Sequence, residues 1–111
     1  MSETTTDGVQ LCFYAHLRAR HDGKLLSEWL LDQARRLGFG GGSVFRATAG
    51  FGRHGVLHEE AFFELADNLP VKVEFLLRPE QANAFIAHVR GEGVDVVYAT
   101  SAIRFGVLGA K

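Results

Sequence analysis

The chain has 111 residues, 47% of them apolar and a further 13 of them glycine, together more than the roughly 45 to 50% that apolar residues and glycine usually supply. One domain with one core is expected at this length, and the apolar excess points to a further surface buried between copies of the chain. Twelve basic against 13 acidic side chains give a net charge of -1, which excludes the positive field that holds a nucleic acid backbone. The single Cys12 excludes an internal disulfide framework or a cysteine-held metal site and fits a reducing cytoplasm. No run approaches the about 18 apolar residues of a spanning helix, so no membrane insertion is expected. The polar, acidic start lacks the pattern of a signal peptide and reads as a flexible tail, residues 1–8, ahead of a single domain, residues 9–111.

In chain order, Val9, Leu11, Phe13, Ala15 and Leu17 alternate with Gln10, Tyr14, His16 and Arg18, the period of a strand with one buried face. Leu25, Leu26, Trp29, Leu30, Ala34 and Leu37 recur at helical spacing from about Lys24, and Gly38 ends that helix. After Gly40-Gly41-Gly42 a second alternation sets Phe45, Ala47, Ala49 and Phe51 against Val44, Arg46 and Thr48. Pro70 opens a third strand with Val71, Val73, Phe75 and Leu77 inward. Pro79 and Glu80 start a second helix with the stripe Ala82, Phe85, Ile86 and Val89, which stops at Gly91. Residues 94–105, rich in β-branched side chains, form the last strand.

The order strand, helix, strand, strand, helix, strand predicts an α+β, ferredoxin-like βαββαβ fold, an antiparallel sheet with two helices on one face. Residues 50–69 make the connection between strands two and three far longer than a hairpin loop, a length that usually marks function. Within it, residues 60–65 fit either an extension of the strand or a short helix.

Candidate chemistry is sparse. Arg53 follows Gly50 and Gly52, which let the backbone approach a ligand, and a guanidinium suits a phosphate or carboxylate; a solvated loop arginine is the plainer reading. Gly91, Glu92 and Gly93 fit a turn that points successive backbone N–H groups at an anion, and they equally fit a helix cap in which Glu92 repels one. Arg46 and Arg104 either line a cleft between subunits or pair with Glu74 or Asp95 on the sheet. His54 and His58, four apart, have a metal-ligand spacing if helical, although solvated histidines fit as well. No nucleophile elbow, P-loop or zinc-protease motif occurs, so no enzyme is expected.

Gly50-Phe51-Gly52-Arg53, opening the long connection, with Leu69-Pro70 and Val71-Lys72-Val73-Glu74-Phe75 beyond it, resembles the PII signalling family. Gly42-Ser43-Val44, Arg78-Pro79-Glu80, Gly91-Glu92-Gly93 and Ala102-Ile103-Arg104 match its strand-two start, helix-two start, glycine turn and C-terminal basic segment. The chain departs from the family at Val94 and Gly106, where a lysine and a second arginine are usual, and lacks its lysine after Pro70 and its loop tyrosine. His21-Asp22-Gly23-Lys24-Leu25 and Arg46 are more similar to the PII-like branch catalogued as domain of unknown function 190. The resemblance implies a cytoplasmic homotrimeric sensor. A small anionic effector, an adenine nucleotide among the candidates, would bind at Gly50, Gly52, Arg53, Arg46, Gly91, Gly93 and Arg104 in clefts between subunits. The loop 51–65 would then report to a target protein. ATP and 2-oxoglutarate chemistry and uridylylation do not carry over. The alternative is a metal-binding trimer of the copper-tolerance type using His54 and His58.

Overall fold

The computed structural model describes residues 2–50 and 69–109. Among these the elements are β1 (Ser2–His16), β2 (Arg20–His21), β3 (Lys24–Leu25), α1 (Leu26–Arg36), β4 (Ser43–Arg46), β5 (Pro70–Leu77), α2 (Pro79–Gly91) and β6 (Val97–Gly109). The four main strands form one antiparallel sheet in the order β4-β5-β1-β6, which is the expected ferredoxin-like arrangement with β1 and β5 at its centre.

Alternation decides which face is covered. Directly paired residues share a face, and the pairs Leu11 with Phe75 and Phe13 with Val73 belong to the core that takes Leu26, Trp29, Leu30 and Ala34 from α1 and Ala82, Phe85 and Val89 from α2. Both helices therefore lie on that face. Phe85, 0% exposed, fixes α2 by packing edge-on against Phe13, Phe39 and Phe75 at centroid distances of 5.5, 5.4 and 5.2 Å.

Helix α1 ends as its sequence predicts. Gly38 sits at φ +85, its N–H donates to Arg35 O and the Phe39 N–H donates to Ala34 O, both at 3.0 Å. This pair of bonds is the Schellman closure that glycine makes cheap. Helix α2 begins with Pro79 at its first position, and Gln81 Oε1 accepts from the Arg78 N–H at 2.9 Å.

Four boundaries differ from the sequence reading. Strand β1 starts at Ser2 rather than Val9, because residues 2–8 pair with residues 103–109 of β6 beyond the end of β5. Gly8 permits this. A Cβ there would meet the Phe105 ring and stand 2.6 Å from Leu77 O. Asp22-Gly23, both at positive φ, make the tight turn of a small β2–β3 hairpin rather than a helix start. Strand β4 is four residues long, and β6 starts at Val97 and runs to Gly109.

Among the described residues nothing packs as an element on the face away from the helices. One row across it reads Phe45, Lys72, Tyr14, Val97, with Lys72 Nζ 4.9 Å above the Phe45 ring. Phe45, Tyr14, Val97 and the neighbouring Leu76 are 39 to 48% exposed. Among the described residues no helix is long and apolar enough to cross a membrane.

Candidate functional site

Arg46 closes β4 opposite Val71. The next residue, Ala47, donates its N–H to Pro70 O at 2.9 Å, and a Cβ on Gly50 would lie 3.2 Å from Pro70 Cγ. The chain is thus folded back over the start of β5, and Arg46 and Gly50 stand together at that edge of the sheet. Arg46 is exposed, on the helix-facing side by its pairing with Val71. Gly52 and Arg53, like His54, His58 and the loop 51–65, lie outside the described residues.

Arg104 is at the opposite edge. It pairs with Asp7, and its Nε contacts Asp7 Oδ1 at 3.2 Å, with the two side chains 74% and 86% exposed. Asp7 rather than Glu74 is its partner; Glu74 accepts from Gln10 at 3.0 Å and stands 3.3 Å from Lys72 Nζ. An exposed pair of this kind contributes about 0 to 1 kcal/mol, so a ligand phosphate can displace it. Three strand spacings and eight residues along β1, from the Ala15 row to the Asp7 row, separate Arg46 from Arg104 by about 30 Å. One subunit does not bring them together.

The glycine turn ends α2. The Glu92 N–H donates to His88 O and Val89 O at 3.2 Å, and the Gly93 N–H donates to Arg90 O at 3.0 Å. Gly93 is in the left-handed region at φ +72. Both N–H groups close the helix rather than point outward, so the helix-cap reading holds for them. What the turn offers is room. A Cβ on Gly91 or Gly93 would have nothing within 4 Å. Glu92 is held aside by His21, whose Nε2 lies 3.2 Å from Glu92 Oε1, and His21 packs on Trp29 at 4.5 Å between centroids.

Two further groups shape the charge nearby. The Lys24 ammonium at 3.1 Å, aided by Arg35 at 3.2 Å and Arg36 at 3.1 Å, holds the Asp32 carboxyl below its ordinary pKa. Burial first, then the neighbouring Glu74 charge, pushes the Cys12 thiol up against the opposing pull of Lys72 and Tyr14, which keeps it protonated and unreactive near neutral pH. Among the described residues no three His, Cys, Asp or Glu side chains come close enough to hold a metal.

Sequence reasoning passed over Arg90 and the His21–Glu92 contact. Arg90 was visible as a basic residue in the last turn of a helix; the partners His21 and Glu92 are 71 positions apart and carry no local signal.

The DUF190 family model, an uncharacterized group, matches residues 8–101. The chain belongs to the DUF190 family. A UPF0166 protein of Aquifex aeolicus strain VF5 is 33% identical over 85 residues, covering 69% of this chain and 81% of that protein. Among solved structures, a PII-like signalling protein of Thermus thermophilus shares the fold with a TM-score of 0.61 at 16% identity, over 91% of this chain and 90% of that one. CPII of Thiomonas intermedia K12, bound to ADP and bicarbonate, matches with a TM-score of 0.65 at 16% identity, over 92% of this chain and 91% of that one. The DUF190 chain therefore has the fold of PII-like signalling proteins.

Proposed function

We propose that this DUF190 protein is a cytoplasmic homotrimeric regulator that binds an adenine nucleotide in clefts between subunits and reports it to a target protein through residues 51–65. The observation that carries this reading is the placement of Arg46 and Gly50 at one edge of the sheet and Arg104 at the other. A ring of copies sets the β4 edge of one subunit beside the β6 edge of the next, a heterologous contact that closes. The exposed row of Phe45, Tyr14 and Val97 supplies apolar surface for the same assembly. CPII, whose fold this chain shares, is bound to ADP and bicarbonate.

In this reading Arg46, Arg53 and Arg104 neutralise phosphate, Gly50 and Gly52 let the backbone come close, and Gly91 and Gly93 leave space for the ligand. The protein binds and signals; it does not turn over a substrate. Ligand binding needs only to favour one arrangement of the loop to change what the target meets. Val94 replaces a lysine of the PII pattern, which lowers the positive charge available to a third phosphate.

Calorimetry against AMP, ADP, cyclic AMP and ATP tests this. A mono- or diphosphate, or the cyclic nucleotide, is expected to bind more tightly than ATP. Arg46→Ala and Arg53→Ala should each lose about 1.5 to 3 kcal/mol, roughly ten- to a hundredfold in affinity. No binding of any nucleotide or small carboxylate at millimolar concentration, or an Arg53→Ala protein that binds as well as the parent, would overturn it.

A further inference from the structure

Between the C-terminal half of α2 and the start of β6 the packing leaves a half-open slot of about 180 Å³. Its floor is aromatic. Phe13, 1% exposed, and its cross-strand partner Tyr98 lie with ring centroids 6.4 Å apart and planes at 54°. Ile86, Val89 and Arg90 of α2 and Val94 and Val96 of the connection complete the lining.

A half-open apolar slot beside the main core leaves lining atoms without packed neighbours, which a small apolar group can supply. The size fits one ring, since an apolar cavity of about 150 Å³ takes up benzene. The lining fits an aromatic one, because Tyr98, 46% exposed, offers a ring on which another can pack. The rim fits an anion. Arg90 is exposed, and Glu92, two residues on, is engaged by His21. A guanidinium binds a carboxylate through two parallel hydrogen bonds.

We propose that this slot binds a small aromatic carboxylate, its ring against Tyr98 and its carboxylate on Arg90. The site lies within one subunit and shares with the nucleotide reading only Val94, the position beside a third phosphate that ADP lacks, so it stands whether or not the intersubunit cleft binds ADP. Through Arg90 it abuts the Gly91-Glu92-Gly93 turn, which gives a bound acid a route to the cleft.

The test is a titration of the full, assembled protein with benzoate, followed by NMR at the Tyr98 ring and the methyls of Ile86, Val89, Val94 and Val96. Saturable shifts confined to these groups are expected, with a dissociation constant of about 1 mM. Acetate and benzyl alcohol, each lacking one half of the recognition, should bind about tenfold more weakly. Arg90→Gln should bring benzoate down to the level of benzyl alcohol, and Val94→Phe, which narrows the slot from the connection, should abolish the shifts while the Trp29 fluorescence confirms that the core is intact. Saturating ADP should leave the benzoate shifts in place. The proposal is overturned if benzoate leaves these groups unmoved, as it would were the slot filled by a neighbouring copy. Acetate binding as well as benzoate, Arg90→Gln binding as well as the parent, or ADP displacing benzoate would also overturn it.

Discussion

At the scale of single residues, charge and burial account for most of what the site contains. Asp32 gathers Lys24, Arg35 and Arg36, and so fixes the β2–β3 hairpin, which carries His21, to α1. Its carboxyl pKa is lowered in the folded protein. A lowered carboxyl stabilises the fold above its unfolded pKa of about 3.9 and loses that contribution as pH falls through the folded value. Asp32→Asn should therefore destabilise the protein at pH 7, and the gap between parent and variant in urea midpoint should narrow as the pH is taken to 3. A gap that stays constant across that range would mean that Asp32 acts through packing rather than charge. The residue types of the candidate site are readable in the sequence; in the structure Arg46 ends β4, Arg104 lies in β6 and Gly91 ends α2. Their partners were not. Asp7 is 97 positions from Arg104, and only strand pairing sets the two side by side.

Among the elements, strength of periodicity separates what was legible from what was not. Residues 71, 73, 75 and 77 alternate without exception and all four are buried, and the helix stripes of α1 and α2 reach the core except at Leu25 and Leu37, which lie outside α1, Leu37 being 48% exposed. Residues 2–8 carry no such pattern: Thr4, Thr5 and Asp7 are exposed in the two-stranded extension they share with β6, so nothing selects apolar residues at every second position. The β2–β3 hairpin has only two residues a side, too few for a period, although Asp22-Gly23 was the available sign. In β4 the sides were split correctly but their environments were not evident: Phe45, 48% exposed, lies on the face away from the helices under Lys72, while Arg46 shares the helix side with Val71. Helix α2 holds the turn at Gly91 and Gly93 in place through Phe85, so Phe85→Ala should cost about 3 to 5 kcal/mol, the usual loss on emptying an aromatic core position. Urea unfolding reads this directly, and a loss below about 1 kcal/mol would show that α2 is anchored elsewhere.

At the scale of the whole molecule, β4 and β6 are the two edges of the sheet among the described residues, and Arg46 and Arg104 stand on these opposite edges. A subunit alone cannot close such a site; neighbouring copies can. This separates the account from one in which each chain carries a complete pocket, and mixing two defective proteins distinguishes them. Arg46→Ala and Arg104→Ala should each bind ADP weakly when assembled alone. After equimolar co-assembly, a cleft formed by the Arg46 edge of one variant and the Arg104 edge of the other is intact, and random mixing in a closed ring produces that pairing at about one cleft in four. Calorimetry of the mixed trimers should recover parent affinity for ADP at about that fraction of the sites. Mixed assemblies that bind no better than either variant alone would contradict the intersubunit site.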